Sequence, residues 1–556
     1  MRRFLPSPAV MIVTLTLFAQ TSAPSSDNTE HPAALCVVAG RVVTSAEGNP
    51  LKSARVVLVP EQSGSRRQPY AIASDSDGRF ILKDVVPGRY QFFATRPGFL
   101  EQKYQAKGIE GGAVLSLKPG EKLSDVLFRM TLAAVVTGRV TNEEGEAMPR
   151  VNVLALRAPS EEEIEDEGRF AHRKPELWPV AAAQTDDRGQ YRIFGLKPGE
   201  YYVRVTESFE PDRNVMVDQI WIRELLGSEY AAVYYPGVAQ VSQAQMVSVR
   251  AGDEVQADVS MQRVKTVQVA GHVIGPNGPA KNASVSLEQP GVVDVDHQDT
   301  TDEKGNFRLR GVPPGSYVFV VYQRGDGDTY GPSAWQKVEI GDENIDSLTV
   351  FLGGGTNFQG RVSVAGLGSV TLDRMRVILL SIDQDTQFWH GRVKKDGTFE
   401  IMSVRDGDYA ISINGLEDGW YIKSVRLGSD DIFEKGLQLE KGGSSGRLEV
   451  TVSSGCAQLE GSVSDHDGAV IGARVRVVPD PETPYNRSRS QSTTTDQAGH
   501  FSFNRLPPGS YRVLAKSPVS SDGTSHKSEP QDVTLSEHNH KTVQLTMVSA
   551  GSLPAQ

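Results

Sequence analysis

The sequence predicts an all-β protein, a tandem array of five β-sandwich modules behind an export signal. Three observations predict it. A Gly-x-Val start occurs five times, at Gly40, Gly138, Gly271, Gly360 and Gly461. A later Gly-x-aromatic step, Gly78/Phe80, Gly189/Tyr191, Gly305/Phe307, Gly397/Phe399 and Gly499/Phe501, is followed ten residues on by another glycine and then a tyrosine. The flanking segments alternate apolar and polar residues with period two, the mark of a strand with one buried face.

The export signal comes first in the chain. Arg2 and Arg3 precede the apolar run Ala9–Ala19, and small residues follow at Thr21-Ser22-Ala23. That is the layout of a secretory signal peptide over residues 1–23. The run is too short for a membrane span, which needs about 20 apolar residues. No later segment reads as a span, so the mature chain is expected to have no transmembrane segment. Localisation is expected to be periplasmic, outer-surface associated or extracellular.

Composition narrows the function. The 556 residues carry 58 Lys+Arg against 69 Asp+Glu, a net charge of −11 that becomes −13 without Arg2 and Arg3. Nucleic acid is not an expected partner, because phosphate neutralisation needs clustered cations. Two cysteines, Cys36 and Cys456, exclude a disulfide-rich scaffold and a cysteine-ligated zinc cluster. They are read as free thiols or as intermolecular partners; a bond between the first and fifth modules would bend the array into a ring.

The motif residues are turn residues. Asp75, Asp186, Asp302 and Asp496 each precede the first glycine by three. Asp at the first position and Gly at the fourth predict a type I turn. Pro87-Gly88, Pro198-Gly199, Pro314-Gly315 and Pro508-Gly509 suit a type II turn, with glycine accepting a positive φ. The fourth copy departs at both places, with Lys394 for Asp and Asp406 for Pro. After each second glycine a strand turns one face inward: Tyr90/Phe92/Ala94, Tyr201/Val203/Val205, Tyr317/Phe319/Val321, Tyr409/Ile411/Ile413 and Tyr511/Val513/Ala515. An earlier strand does the same with Ala54/Val56/Leu58 in the first copy and Ala473/Val475/Val477 in the last.

The combined pattern, Gly-x-Val, Ala-x-Val-x-Leu, Asp-x-x-Gly-x-Phe and Leu-x-Pro-Gly-x-Tyr, resembles the carboxypeptidase regulatory-like domain. The resemblance implies a transthyretin-like, seven-stranded, Ig-like sandwich, similar also to starch-binding-like and Cna-B-type modules. It covers nearly the whole mature chain. It further implies a secreted bacterial array and an accessory role: in the metallocarboxypeptidases this module holds no catalytic residues, so no catalytic residue is carried over. Modules are expected at 28–134, 135–266, 267–355, 356–455 and 456–549. The joint from Leu132 into Gly138 has no Gly/Ser tether, which predicts a semi-rigid rod.

No catalytic, cofactor or metal site is read from the motifs. Ser444 matches Gly-x-Ser-x-Gly but sits in a glycine-rich linker rather than a strand-to-helix elbow. His526 and Glu529 match a His-x-x-Glu zinc spacing, with His538 and His540 nearby, yet only 27 residues follow Glu529. Asp75/Asp77 and Asp326/Asp328 read as turns, Glu161–Glu167 as a solvated acidic loop, and Arg324-Gly325-Asp326 as a chance tripeptide on a loop tip.

Binding is read from aromatics. The second module is longer than its neighbours and includes Asp218–Gly237, with Trp221, Tyr230, Tyr234 and Tyr235. Long loops on a rigid scaffold often hold binding sites. These four residues and Trp178 are the candidate ligand-binding set, with Trp335, Trp389 and Trp420 as further aromatics. The alternative is that the insert is a lid over its own sandwich edge. The expected function is a secreted, non-catalytic binding and spacer protein. Its partner is a polysaccharide, reached through loop aromatics, or a cell-surface protein. The alternatives are a structural or adhesive protein and an accessory component of a carboxypeptidase or other hydrolase system.

Overall fold

The structure is a computed structural model. It describes residues 34–548 except 62–67, 107, 109–110, 161–162, 164–176, 208–215, 218–219, 222–229, 231, 240, 264, 276, 289–294, 325–329, 354, 367, 383–387, 418, 441–445 and 520–523. The signal peptide over 1–23 lies outside the described residues.

One pairing rule recurs along the chain. The strand that carries Gly-x-Val lies antiparallel to the Gly-x-aromatic strand and parallel to the last strand of its unit. Cys36–Thr44 does this with Arg79–Val85 and Lys122–Met130. Ala134–Thr141, Val267–Gly275, Thr356–Ala365 and Ala457–Asp465 repeat it. A second sheet centres on the strand after the Pro-Gly step, antiparallel to the earlier alternating strand: Arg55–Pro60 with Gly88–Thr95, and Arg474–Pro479 with Gly509–Lys516. The two inner faces close an apolar core in each unit, five in all among the described residues. We propose that these five pairing units are the five modules expected from the sequence.

The glycine spacing has a direct cause. Gly40, Gly138, Gly271, Gly360 and Gly461 stand opposite Phe80, Tyr191, Phe307, Phe399 and Phe501 in the ladder. A methyl group at Gly271 would overlap the carbonyl oxygen of Leu348 in the parallel strand, and one at Gly461 would overlap Val543 and the Phe501 ring. The aromatic ring covers the space a side chain would fill, which restores packing to a glycine in a strand. The Gly-x-Val glycine and the Gly-x-aromatic ring are therefore one structural unit.

The type I turns form as expected. Gly78 N–H donates to Asp75 C=O at 3.1 Å, and Asp186/Gly189, Asp302/Gly305 and Asp496/Gly499 repeat the bond at 3.0 Å. Each aspartate also accepts from two backbone N–H groups, as Asp75 Oδ1 does from Asp77 at 2.9 Å and Arg79 at 2.7 Å. These bonds hold Asp302 below its usual carboxylate range, the Asn306 N–H foremost. In the fourth copy Lys394 keeps the backbone bond to Gly397, while Asp396 supplies the carboxylate, accepting from Thr398 N–H at 3.0 Å. Gly78 has φ of 72°, and a side chain there would meet the Val42 carbonyl.

The second glycine departs from expectation. A type II turn needs φ near +80° at glycine. Gly88, Gly199, Gly407 and Gly509 lie at 155°, 158°, 143° and 156°, and Gly315 is not among the positive-φ glycines. In these four copies the glycine is an extended entry into the next strand, in a region open almost only to glycine, while Gly315 lies outside it. The corner is instead held by the tyrosine. Tyr90, Tyr201, Tyr317, Tyr409 and Tyr511 are all buried, and each hydroxyl donates to the carbonyl four residues back. The distances are 2.5 Å to Val86, 2.8 Å to Lys197, 3.0 Å to Pro313, 2.9 Å to Arg405 and 2.7 Å to Pro507. This is a tyrosine corner of the kind that fixes strand crossings in sandwiches. Tyr317→Phe in the full chain is expected to cost about 1 kcal/mol. A module of this size should then melt about 4–8 °C lower, read as the third-module transition by calorimetry.

Candidate functional site

The second module gathers most of the candidate ligand-binding residues. Its strand Trp178–Gln184 pairs antiparallel with Val151–Arg157, placing Trp178 opposite Arg157. Beside them Gly199–Glu207 starts at the module's Pro-Gly corner and carries Tyr201 inward. A cleft of about 500 Å³ is lined by Arg157, Glu163, Trp178, Gly195, Lys197 and Tyr201.

The cleft is charged and held in place. Arg157 donates twice to Glu163, Nη1 to Oε2 at 2.8 Å and Nη2 to Oε1 at 2.6 Å. Ser160 and Glu163 close a capping box, with Ser160 N–H to Oε2 at 2.8 Å and Glu163 N–H to Ser160 Oγ at 3.3 Å. The Arg157 guanidinium therefore brings the Glu163 carboxyl down to about 2. A carboxyl lowered from about 4.5 stabilises the fold above that pH, and the stabilisation is lost as pH falls toward 2. The cleft should hold its form at pH 5 and lose it between about pH 4 and pH 2. Acid titration of tryptophan fluorescence, compared with Trp178→Phe, checks this; a change centred near pH 4.5 would contradict it. Trp178 is half-buried, and its Nε1 has no hydrogen-bond partner among the described residues. Indole N–H is a donor only and normally finds an acceptor when enclosed.

The insert behaves differently from the cleft. Val233–Tyr234 adds to the edge of Gly199–Glu207, and Tyr235 N–H donates to Val203 C=O at 2.8 Å. Tyr234 is 3% exposed and packs with Leu156 and Leu177 in a second apolar cluster on the outward face of the sheet. Tyr230 and Tyr235 pack against the module core, and Tyr230 lies under the Arg263 guanidinium, 5.9 Å from its ring centre. Trp221 pairs with Met216 in a small hairpin. Tyr234 is therefore a packing residue and offers no open ring. Arg204, opposite Tyr234 in the ladder, is fully buried at an outward position of its strand. Alternation alone assigns that position to solvent.

The other candidates separate as well. Trp389 is in the fourth core, its Nε1 donating to Ser403 C=O at 3.0 Å, and Trp420 packs against the same core. Trp335 is half-buried in Tyr330–Ile340. His526 is half-buried, Glu529 is exposed, and His540 Nε2 sits 3.4 Å from Glu460. These do not converge: among the described residues the compact metal-type group is Asp465, His466 and Asp467 on an exposed hairpin. Ser444 and Asp326 lie outside the described residues, as does the Glu161–Glu167 run apart from Glu163. Cys36 and Cys456 are both free; burial pushes the Cys456 thiol up to about 11.

Sequence reasoning missed one set of residues. The residue before each turn aspartate is Ser74, Thr185, Thr301 and Thr495, all buried. Each hydroxyl accepts from one backbone N–H and donates to one carbonyl: Thr301 takes Ala283 N–H at 2.7 Å and gives to Ala280 C=O at 2.5 Å. Ser74, Thr185 and Thr495 repeat the pair. The fourth copy has Val393 there, whose own N–H reaches Met375 C=O at 3.0 Å. The signal was a Ser/Thr-Asp dipeptide in four of five copies.

The sandwich repeat defines a multidomain array of regulatory-like β-modules. The family model of the carboxypeptidase regulatory-like domain matches residues 37–119, 135–219, 268–350 and 458–548. The chain belongs to that family. Residues 356–453 fall outside the matched ranges and share the pairing rule. No curated protein sequence matches the chain. Among solved structures the chain is similar to the Bacillus anthracis TIE protein, at 11% identity over 94% of this chain and 75% of that one, with a TM-score of 0.16. It is also similar to a streptococcal ancillary pilin, at 12% identity over 57% and 97%, TM-score 0.19. The minor pilin GBS52 of Streptococcus agalactiae matches at 14% over 41% and 96%, TM-score 0.22. Among the described residues no helix is long and apolar enough to cross a membrane.

Proposed function

We propose that the chain is an exported, non-catalytic binding and spacer protein whose ligand is a polysaccharide taken at the Trp178 cleft of the second module. One observation supports the site: an enclosed indole N–H without an acceptor among the described residues, beside a fixed Arg157–Glu163 pair. An aromatic edge with a planar, bidentate polar pair is a chemistry suited to a sugar ring and its hydroxyls. The non-catalytic reading rests on the motif residues. Their aspartates, hydroxyls and tyrosines are engaged in turns, staples and corners, which leaves them no part in a reaction.

The test is affinity electrophoresis or calorimetry of the full chain against a panel of soluble cell-envelope and plant polysaccharides. At least one should bind, and Trp178→Ala should weaken it about tenfold or more, a loss of one aromatic contact. Binding by no polysaccharide, or binding indifferent to Trp178→Ala, contradicts the site. A structural or adhesive role is favoured by a separate observation. Each unit keeps a strand paired on one side within its own sheet, such as Val247–Val249 or Gln531–Leu535, and such edges accept partner strands.

A further inference from the structure

The expected rod is not what the chain forms. The first and last modules touch, across 381 residues of sequence. In the first module Val114–Leu117 is an edge strand, bonded on one side to Gly88–Thr95. On its other side Ser116 N–H donates to Gln497 Oε1 at 3.0 Å, and Gln497 Nε2 donates to Ser116 C=O at 2.6 Å. A side-chain amide offers an acceptor and a donor in the same sense as a peptide group. Gln497 thus stands where the next strand of the sheet would be, and Val114 and Asp496 form a parallel bridge beside it.

A charged cluster flanks this contact. Arg89 Nε lies 2.6 Å from Glu61 within the first module, and Arg89 Nη1 lies 3.6 Å from Asp496 in the last. Arg89 Nη2 donates to Thr494 C=O at 3.4 Å, and Thr493 Oγ1 donates to Glu61 Oε1 at 2.8 Å. Ile471 packs against the first module's core at the rim. A cleft of about 360 Å³ remains open between the modules, lined by Glu61 and Arg89 on one side and Gln491, Thr493 and Arg505 on the other. The contact is mostly polar and incompletely filled, while each module keeps its own apolar core. Such interfaces within a chain behave like transient ones and separate without unfolding either side.

We propose that the Val114–Leu117 edge is an interaction surface whose occupant is the 493–497 segment of the chain's own last module. The two form a polar latch that closes the array into a ring. The latch shields an open sheet edge, which is otherwise a template for pairing with another chain. Its charged part weakens as ionic strength rises, less steeply than a fully exposed pair, so high salt shifts the array toward the open form. The module cores are unaffected by that change.

Small-angle scattering and hydrogen exchange of the full chain test this together. At low salt the wild-type chain should show the shorter maximum dimension of a closed array, with slow exchange at Ser116. Gln497→Ala and Arg89→Ala should lengthen the maximum dimension and speed exchange over Val114–Leu117 by about tenfold, as expected for losing bonds of this kind. The thermal transitions of the modules should stay in place. Raising salt toward about 1 M should move the wild-type chain the same way. This titration needs no variant and holds if either substitution misfolds. A wild-type chain already extended at low salt overturns the proposal. So does a chain whose dimension and Ser116 exchange respond to neither substitution nor salt.

Discussion

Gly271→Ala is expected to unfold the third module selectively, with the other modules left standing. The added methyl group would overlap the Leu348 carbonyl oxygen, a backbone atom held in a parallel ladder from Ile345 to Phe351. It cannot rotate away as a side chain would. The strand must shift, and the shift breaks the ladder on one side and displaces Phe307, which stands opposite Gly271, on the other. Overpacking a well-filled core costs about 1–3 kcal/mol, and this site belongs at or above the upper end because the obstacle is backbone. Against a domain stability of about 5–15 kcal/mol the loss is a large share. Hydrogen exchange of the full chain reads it: protection should fall across residues 268–350 and persist elsewhere. Protection lost equally along the chain would mean that the modules do not have separate cores.

Thr301→Val should rank next. Valine keeps the shape of threonine and removes the hydroxyl, which is 2% exposed as part of its residue. Ala283 N–H and Ala280 C=O then lose their shared partner inside the module. Leaving a buried donor or acceptor unsatisfied costs about 1–3 kcal/mol each, so a loss of about 3 kcal/mol is expected. Thr301→Ser keeps both bonds and gives up one methyl group, which costs about 0.8 kcal/mol. The order wild type, Thr301→Ser, Thr301→Val in the third-module melting temperature checks the staple. A loss for Val no larger than that for Ser would mean that the hydroxyl bridge contributes no more than one methyl group. The fourth module gives a natural parallel: Val393 occupies this place, and Met375 N–H donates directly to Leu372 C=O at 2.9 Å, joining the two positions that the hydroxyl bridges in the other copies.

Much of the fold was legible because it depends on local geometry. Asp and Gly at fixed offset define a turn wherever they occur, and a period-two face defines a strand. The copy-four departures at Lys394 and Asp406 were visible too, though the replacement of the missing carboxylate by Asp396 required the turn itself. What stayed hidden is cross-strand or long-range. The spacing of Gly271 and Phe307 does not say that they face one another. The tyrosine reads as one more inward residue until its hydroxyl is seen to reach Pro313. The Pro-Gly step looked like a type II turn because sequence gives residue preference and no φ value.

The rod failed for a related reason. Short joints speak only about neighbouring modules, and the bond between Ser116 and Gln497 joins the ends through side-chain chemistry that leaves no periodic trace. In the candidate site, aromatic density pointed to the insert. The structure places Tyr234 in a packing layer and leaves Trp178, a single residue before Pro179, beside the open cleft. Aromatic count does not distinguish a lid from a platform; the partner of each polar tip does.

Stretching the full chain between its ends in a single-molecule force experiment tests the modular organisation most directly. Five separate rupture events are expected, each releasing about 30–45 nm of chain at about 3.6 Å per residue, after one smaller opening event as the terminal modules part. A single cooperative rupture, or fewer large steps that merge several units, would contradict five independently cored sandwiches.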